Sequence, residues 1–276
     1  MKAIATLLLL TLCGAAHAQA EKDANFANPH EVLAAKRDGY AISALATHVA
    51  GRASFARGVA LFPGHPGIMK IEVDADGAPK FEMKGNFLVR TRRFWVDEET
   101  LVLAIDAPSD QWHTFSQYFR ETPRYGGDVA ALLEEAARRY GVREWTFVGT
   151  SEGSVSAFHA ARMNPKLAAR LILTSSVFEP SRNGPGLLRV DLAALPAQTL
   201  WVHHADDPCR FTPYRDAQSF AKRSGKPLVT VRGGGNYRGE HCEAFSQHGY
   251  RGAERATVEA MRAWVKTGTA PAEVTP

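Results

Sequence analysis

The chain has 276 residues, a formal net charge of +4 and 45% hydrophobic residues, so it is long enough for a domain with a large buried core. No internal repeat or low-complexity block divides it. No basic cluster is interleaved with aromatic residues, as a nucleic-acid-binding surface would require. We therefore expect one large domain and no nucleic-acid partner.

The first residues have the pattern of a secretory signal peptide. Lys2 provides the charged start, Ala3–Leu12 form an apolar run, and Ala16-His17-Ala18 provides a small-residue cleavage site. An apolar run of about ten residues is too short to cross a bilayer, which needs about twenty. We predict cleavage near Ala18, a mature chain that begins at Gln19, export to the periplasm or the exterior, and no membrane span.

The cysteines are consistent with export. A lipid anchor on Cys13 is the less favoured alternative to cleavage, because bulky Leu12 precedes it where such signals usually carry a small residue. Cys209 and Cys242 remain after processing, and an oxidising compartment favours a disulfide between them. Two unpaired thiols are the alternative. A metal site is not expected, because no tight Cys/His spacing surrounds either residue.

The elements predicted in chain order alternate between strands and helices. Residues 19–50 have mixed polarity without a persistent period, and we interpret them as an N-terminal segment that leads into the sheet. Apolar runs that end in turn residues predict strands at Val59–Phe62, Leu101–Ile105, Thr146–Val148, Leu171–Thr174, Thr199–His203 and Pro227–Val231. Helical spacing or composition predicts helices at Asp128–Tyr140, Ser154–Arg162, Arg215–Arg223 and around Val258–Val265.

This alternation indicates an α/β fold. Strands joined by right-handed helical crossovers form a mostly parallel central sheet with helices on both faces. We assign this domain to residues 51–266. Residues 267–276 contain two prolines and a glycine, and we expect them to form a flexible, frayed tail.

One sequence motif indicates a catalytic residue. Gly149-Thr150-Ser151-Glu152-Gly153 has the form G-x-S-x-G, with a predicted strand before it and a predicted helix after it. A nucleophile has to stand clear of the backbone on a tight turn, and small residues on either side let neighbouring segments approach. Ser151 is therefore the candidate nucleophile, and an ordinary turn serine is the alternative.

With this motif in its context, the chain resembles the α/β-hydrolase superfamily over roughly Gly58 to Val265. The segment Leu61-Phe62-Pro63-Gly64-His65-Pro66-Gly67 looks like the oxyanion loop of that superfamily, although Pro63 stands where many members have histidine. The resemblance implies that the backbone N–H groups of His65 and Glu152 bind the oxyanion.

The resemblance also implies a catalytic acid after the strand that ends in His203-His204. Asp207 fits the common spacing better than Asp206, and an aspartate at either position could instead cap the turn. We expect His203 and His204 to be structural or to line the pocket, because neither follows the final strand.

Two histidines lie between the last strand and the terminal helix, and either could be the catalytic base. His248 is next to Gly249, immediately ahead of the helix, which resembles the usual position of the catalytic histidine. His241 lies closer to the strand and remains the alternative.

Serine, histidine and aspartate together favour hydrolysis of a carboxylic ester through an acyl-enzyme, with a small-molecule acyl substrate and no cofactor or metal. Peptidases, thioesterases and lactonases use the same three catalytic residue types, so these activities remain alternatives. A non-catalytic secreted binding protein with the same fold is a further alternative. Only about twenty residues separate the strand that ends near Phe178 from the one that starts near Thr199, so we expect no large lid. Asp106, Asp110 and Gln111 could line the mouth, although loop solvation explains them as well.

Overall fold

The computed structural model describes residues 30–276, so the predicted signal peptide, its cleavage site and Cys13 lie outside the described residues. The strands are β1 (His30–Arg37), β2 (Tyr40–Thr47), β3 (Arg57–Phe62), β4 (Glu72–Val73), β5 (Pro79–Lys80), β6 (Thr100–Ile105), β7 (Trp145–Thr150), β8 (Ala168–Thr174), β9 (Thr199–His204), β10 (Leu228–Val231) and β11 (Glu273–Val274). The α-helices are α1 (Phe87–Thr91), α2 (Gln117–Arg120), α3 (Pro123–Tyr140), α4 (Glu152–Met163), α5 (Tyr214–Ser224) and α6 (Glu254–Thr267).

Nine strands form one sheet in the order β1-β2-β6-β3-β7-β8-β9-β10-β11. The pairs β1–β2 and β2–β6 are antiparallel, and every other neighbouring pair is parallel. The prediction of a mostly parallel α/β sheet is therefore confirmed. Because parallel strands bring their carboxyl ends to one edge of the sheet, the loops after β3, β7, β8 and β9 meet there.

The sheet separates two hydrophobic cores. Alternate residues of β3 show the division, because Ala60 and Phe62 belong to the core beneath α3, α4 and α5, whereas Val59 and Leu61 belong to the core beneath α1 and α6. Side chains that alternate between two buried faces explain why these strands have nearly continuous apolar sequences.

The N-terminal segment differs from the expectation for residues 19–50. From residue 30 onward it forms the hairpin β1–β2, which turns at Asp38-Gly39, and β2 pairs with β6. Gly39 adopts a left-handed conformation with φ of +78°, which glycine permits. Ile42 and Ala44 are fully buried, so this hairpin belongs to the domain. The domain therefore begins before residue 51.

The C-terminal tail also differs from the expectation of a frayed end. Thr230 donates a backbone hydrogen bond to Ala272, and Arg232 donates one to Val274, both at 2.9 Å. Val274 packs into the core beside α6 and is 8% exposed. An uncovered β10 would present a row of unpaired backbone groups, and β11 pairs with them.

No lid domain is inserted between β8 and β9, as expected. The connection contains one short 3-10 turn, Leu192–Ala194, and otherwise irregular chain. Among residues 30–276, none of the helices combines the length and the apolar character that crossing a membrane requires.

Candidate functional site

Ser151 occupies the sharp turn between β7 and α4. Its φ of +53° and ψ of −128° are rare for a residue with a side chain, and such strain persists only where surrounding structure enforces it. The Ser151 N–H donates to the carbonyl of Thr174 at 3.1 Å, and its own carbonyl accepts from the N–H of Ser154 at 2.9 Å. These bonds hold the turn on both sides.

Two glycines allow the backbone around this turn to pack without side chains. A Cβ on Gly153 would lie 1.9 Å from the carbonyl oxygen of Phe62, and a Cβ on Gly149 would lie 2.2 Å from the carbonyl oxygen of Gly153. Only glycine fits at such distances. The G-x-S-x-G pattern therefore has a steric cause in this chain.

Ser151 opens onto a cavity of about 1100 Å³, which His248 also lines. The loops after β3, β7, β8 and β9 form its walls together with the segments around α1 and before α6. Its other lining residues are Gly64, His65, Met83, Gly85, Asn86, Phe87, Thr150, Glu152, Val177, Pro180, Ser181, Arg182, Asn183, Cys209, Arg210, Phe211, Cys242, Glu243, Ala244, Phe245 and Gly249.

Asp207 lies behind His248 and accepts a hydrogen bond from it. His248 Nδ1 is 3.0 Å from Asp207 Oδ2, and the two side chains are 6% and 0% exposed. The N–H at Nδ1 leaves Nε2 without a proton in the neutral ring, so Nε2 is the nitrogen that can accept one.

Asp207 is held as a carboxylate. Burial acts to raise its pKa, but the charge of His248 and hydrogen bonds from His203 and His248 outweigh burial and keep the pKa well below its usual range. Thr212 Oγ1 also donates to Asp207 Oδ2 at 2.8 Å, and the Cys209 N–H donates to Oδ1 at 2.9 Å. Nothing in the periodicity of the sequence indicated the role of Thr212.

The alternative candidates for the acid and the base are Asp206 and His241. Asp206 is exposed, and its N–H donates to His204 Nδ1 at 3.0 Å. His241 is exposed and does not line the cavity. His203 and His204 are buried. His203 Nε2 bonds to the Thr212 carbonyl and lies 3.5 Å from Asp207 Oδ2, and His204 bonds to the Gly233 carbonyl. The structure thus places Ser151 and His248 on one cavity, with Asp207 bonded to His248, and leaves Asp206 and His241 outside the cavity lining.

The two predicted oxyanion donors lie beside Ser151. A Cβ on Gly64 would be 3.0 Å from the Cβ of Ser151, so the loop that carries His65 passes directly over the serine. Glu152 is the first residue of α4, and a backbone N–H in the first turn of a helix has no acceptor within that helix. The positive end of the helix dipole adds to the attraction for a negative oxygen there.

The side chain of Glu152 is buried in a polar cluster that the sequence did not predict. Its Oε1 accepts from Asn183 at 2.8 Å and from Gln117 at 3.3 Å, and its Oε2 accepts from His65 Nδ1 at 3.1 Å. Arg120, which is fully buried, lies 3.5 Å from Oε2. Burial acts to raise the pKa of Glu152, but the His65 hydrogen bond, the Arg120 charge and the Asn183 hydrogen bond lower it to about 2.

The three polar residues considered for the mouth do not line the cavity. Asp106 is buried and accepts from the N–H groups of Ile71 and Ala107, and burial raises its pKa to about 6. Asp110 pairs with Arg124 at 2.6 Å. These contacts hold loops in place. Within residues 30–276, no group of three or more His, Cys, Asp or Glu side chains could hold a metal ion.

Tyr250 anchors the His248 segment to the sheet. Its φ is +59°, and its fully buried hydroxyl donates to the carbonyl of Val202 at 2.9 Å and accepts from the N–H of Ser175 at 3.0 Å. Ser175 Oγ in turn donates to the carbonyl of His248 at 2.9 Å. Burial raises the pKa of Tyr250, so the hydroxyl keeps its proton.

We expect Tyr250→Phe to lower the free energy of unfolding by about 0.5 to 1.5 kcal/mol, because it removes two hydrogen bonds from the Val202 carbonyl and the Ser175 N–H, which still bond to each other. If His248 acts in turnover, kcat should fall more than KM rises, because the ring position changes while the cavity remains. Thermal unfolding and steady-state kinetics provide both readouts. Tyr237→Phe is the matched control, because Tyr237 is exposed and its hydroxyl donates to the Gly233 carbonyl in its own loop. Equal effects of the two substitutions would contradict the anchoring role.

A disulfide joins Cys209 to Cys242 across the cavity wall. Cys209 follows Asp207 by two residues and Cys242 precedes His248 by six, so the bond connects the loops that carry this pair. Closing a loop with a sequence separation of 33 corresponds to about 3.5 to 4 kcal/mol in the chain-entropy model.

We expect the double variant Cys209→Ser, Cys242→Ser to have a lower melting temperature than the wild-type protein. Its turnover should fall further than the unfolded fraction explains, because positioning errors of about 1 Å are costly in catalysis. Circular dichroism and kinetics at the same temperature separate the two effects. Reduction of the wild-type protein should reproduce the loss. Unchanged melting temperature and rate would show that the bond has no role in holding these loops.

The sequence matches no protein-family model and no curated protein. Solved structures do match. Est1E from Butyrivibrio proteoclasticus is 14% identical with a TM-score of 0.57, covering 86% of this chain and 100% of its own. XC6422 from Xanthomonas campestris, described as an α/β serine hydrolase without lid, is 12% identical with a TM-score of 0.54, covering 89% and 98%. A cold-adapted esterase from an Arctic intertidal metagenomic library is 15% identical with a TM-score of 0.53, covering 75% and 86%.

At such identities the likeness shows the fold alone, and the description of XC6422 as lacking a lid agrees with the absence of a lid between β8 and β9 here. This chain has the α/β-hydrolase fold.

Proposed function

We propose that the protein is a serine hydrolase that cleaves a carboxylic ester through an acyl-enzyme, with Ser151 as nucleophile, His248 as base and Asp207 as the acid that orients the base. The observation that carries the proposal is the 3.0 Å hydrogen bond between His248 Nδ1 and a buried Asp207, in a ring that lines the same cavity as Ser151. The esterases among the structural neighbours support the same reaction class.

In the first half of the reaction, His248 Nε2 takes the proton of Ser151 Oγ while that oxygen attacks the ester carbonyl. The carbonyl oxygen becomes negative and accepts hydrogen bonds from the N–H groups of His65 and Glu152, each of which contributes about 3 kcal/mol in comparable sites. His248 then gives its proton to the departing alcohol oxygen, and the acyl group stays on Ser151.

In the second half, His248 Nε2 takes a proton from water, and the resulting hydroxide oxygen attacks the acyl carbon. Collapse of this second tetrahedral intermediate returns the proton to Ser151 Oγ and releases the carboxylic acid. Asp207 remains ionised throughout, because its low pKa favours the carboxylate that stabilises a positively charged His248.

We also propose that the protein acts outside the cytoplasm, after cleavage near Ala18. The signal-like sequence supports this, as does the disulfide, since such bonds persist in oxidising compartments.

Ser151→Ala should lower kcat/KM on the order of ten thousandfold or more with little change in melting temperature, because it removes the nucleophile and leaves no internal cavity. A fluorophosphonate probe should label the wild-type protein and fail to label this variant. Ser181→Ala, which removes another serine hydroxyl from the lining of the same cavity, is the control for labelling at a different serine. If Ser151→Ala retained a tenth of the wild-type rate on a good ester, the assignment of the nucleophile would be wrong.

The base and the acid are tested by paired substitutions. We expect His248→Ala and Asp207→Asn each to slow turnover by several orders of magnitude, because members of a triad act as a unit. His241→Ala and Asp206→Asn alter exposed neighbours with the same chemistry and should have small effects. A reversed order within either pair would move that role to the other residue.

Peptidase, thioesterase and lactonase activities use the same steps. A panel of short and long acyl esters, amides, thioesters and lactones, compared by kcat/KM, distinguishes them. Turnover of esters well above the others supports the proposal, whereas faster turnover of another class would replace it.

A further inference from the structure

The cavity above Ser151 has two chemically different sides. Met83, Phe87 and Phe245 are apolar. A Cβ on Gly85 would lie 3.1 Å from the ring of Phe245, and Arg90 Cζ lies 5.8 Å from the ring centre of Phe87 and 5.1 Å from that of Phe245. We call Met83, Phe87 and Phe245 the apolar wall. An ester that binds here can bury a hydrocarbon or aromatic portion against it.

The other side carries cationic and polar groups. Arg182 and Asn183 follow β8, and Arg210 follows the Asp207 turn. The two segments are joined, because the N–H groups of Phe178 and Glu179 both donate to the carbonyl of Phe211, at 2.9 and 3.2 Å. Arg182 and Arg210 therefore lie on two adjacent segments that form one side of the cavity, which we call the arginine wall.

Asn183 connects the arginine wall to the serine. Its Nδ2 donates to Glu152 Oε1 at 2.8 Å and lies 3.2 Å from His65 Nδ1. Glu152 directly follows Ser151 in the chain. The side chains of Asn183 and Glu152 thus connect the arginine wall, by a hydrogen bond, to the position at which the ester carbonyl would bind.

The guanidinium groups of the arginine wall have no anionic partner among the described residues. Arg182 and Arg210 are exposed and form no ion pair within residues 30–276. Arg210 packs on the Phe211 ring, with its Cζ 4.6 Å from the ring centre. Such packing leaves the N–H groups of the guanidinium free to bind an anion at its edge.

The two carboxylates that line the cavity are already engaged. Glu152 is surrounded by Arg120, His65, Asn183 and Gln117, which satisfy its charge and its lone pairs. Glu243 folds back on its own turn, where its Oε2 accepts from the N–H of Glu240 at 3.2 Å. Neither carboxylate neutralises the arginine wall.

We propose that the natural ester carries an anionic group, most simply a carboxylate, which binds Arg182 and Arg210 while its apolar portion packs on the apolar wall. Arginine binds carboxylates through paired, charge-assisted hydrogen bonds. This inference rests on the proposed ester hydrolysis and adds the class of substrate. It assigns Arg182 and Arg210 to recognition and not to bond cleavage.

The test compares matched pairs of chromogenic esters. Para-nitrophenyl monoesters of dicarboxylic acids, from succinate to sebacate, are compared with para-nitrophenyl esters of the monocarboxylic acids of equal length. The leaving group is the same in each pair, so the ratio of kcat/KM, anionic over neutral, isolates recognition of the distal carboxylate. We expect this ratio to reach about three- to tenfold at one chain length, since exposed ion pairs contribute up to about 1 kcal/mol each.

Arg182→Gln and Arg210→Gln should each lower that ratio several-fold. Arg189→Gln is the matched control, because Arg189 is exposed in the same connection but does not line the cavity, and it should leave the ratio unchanged. Added salt should lower the wild-type ratio and have little effect on it in the double arginine variant, because exposed charges are screened. A ratio that favours the neutral ester at every length, or that neither arginine substitution alters, would overturn the proposal.

A binding measurement separates this proposal from the proposed function. Calorimetry on Ser151→Ala protein, with the monomethyl esters of the same dicarboxylic acids against methyl esters of the monocarboxylic acids, needs no turnover. Preferential binding of the anionic ester that is lost in the arginine variants supports the arginine wall even if no ester were hydrolysed, in which case ester hydrolysis alone would be rejected. Equal binding of both members of every pair would reject the arginine wall whatever the enzyme hydrolyses.

Discussion

The close backbone packing around Ser151 is the constraint on which the site depends. Gly153 lies against the carbonyl of Phe62, so β3 and the start of α4 approach to a distance that no side chain allows. This approach forces Ser151 into its strained conformation and brings the loop after β3 over the serine. One steric condition therefore determines where the proposed nucleophile stands and where both proposed oxyanion donors lie. The strain is maintained by the sheet and helix on either side of the turn.

Glu152 at this turn and Asp207 behind His248 are both buried carboxylates, and their surroundings give them different tasks. Asp207 accepts from His248, and its low pKa suits it to stabilise a charge that appears on the ring during turnover. Glu152 has a fixed cation, Arg120, and neutral donors around it, so its charge is compensated before any substrate arrives. The first interaction is suited to proton transfer. The second holds the loops beside the serine in place, because an unpaired buried carboxylate would be strongly destabilising.

Sequence patterns predicted the parallel strands well because both faces of those strands are buried, which produces uninterrupted apolar runs such as Leu101–Ile105. They missed the hairpin of β1 and β2, whose alanine-rich residues pack by small size, include few β-branched residues and lack a clear period. They missed β11 because a two-residue strand is determined by the open edge of β10 and not by its own composition. The Asp38-Gly39 turn was the one local signal for the hairpin.

The same contrast between local patterns and distant contacts applies to the candidate site. The turn at Ser151 was predictable because it requires glycines at fixed spacing. The residues that contact Asp207 and Glu152, such as Thr212 and Arg120, come from distant parts of the chain and have no local signature. Without a lid, the cavity walls are loops, and loops move unless something holds them. Here the disulfide, the Tyr250 hydroxyl and the Glu152 cluster each join two of these loops. Cross-links between neighbouring loops thus provide the order that a covering domain would otherwise impose, and they leave the cavity open for the substrate to enter.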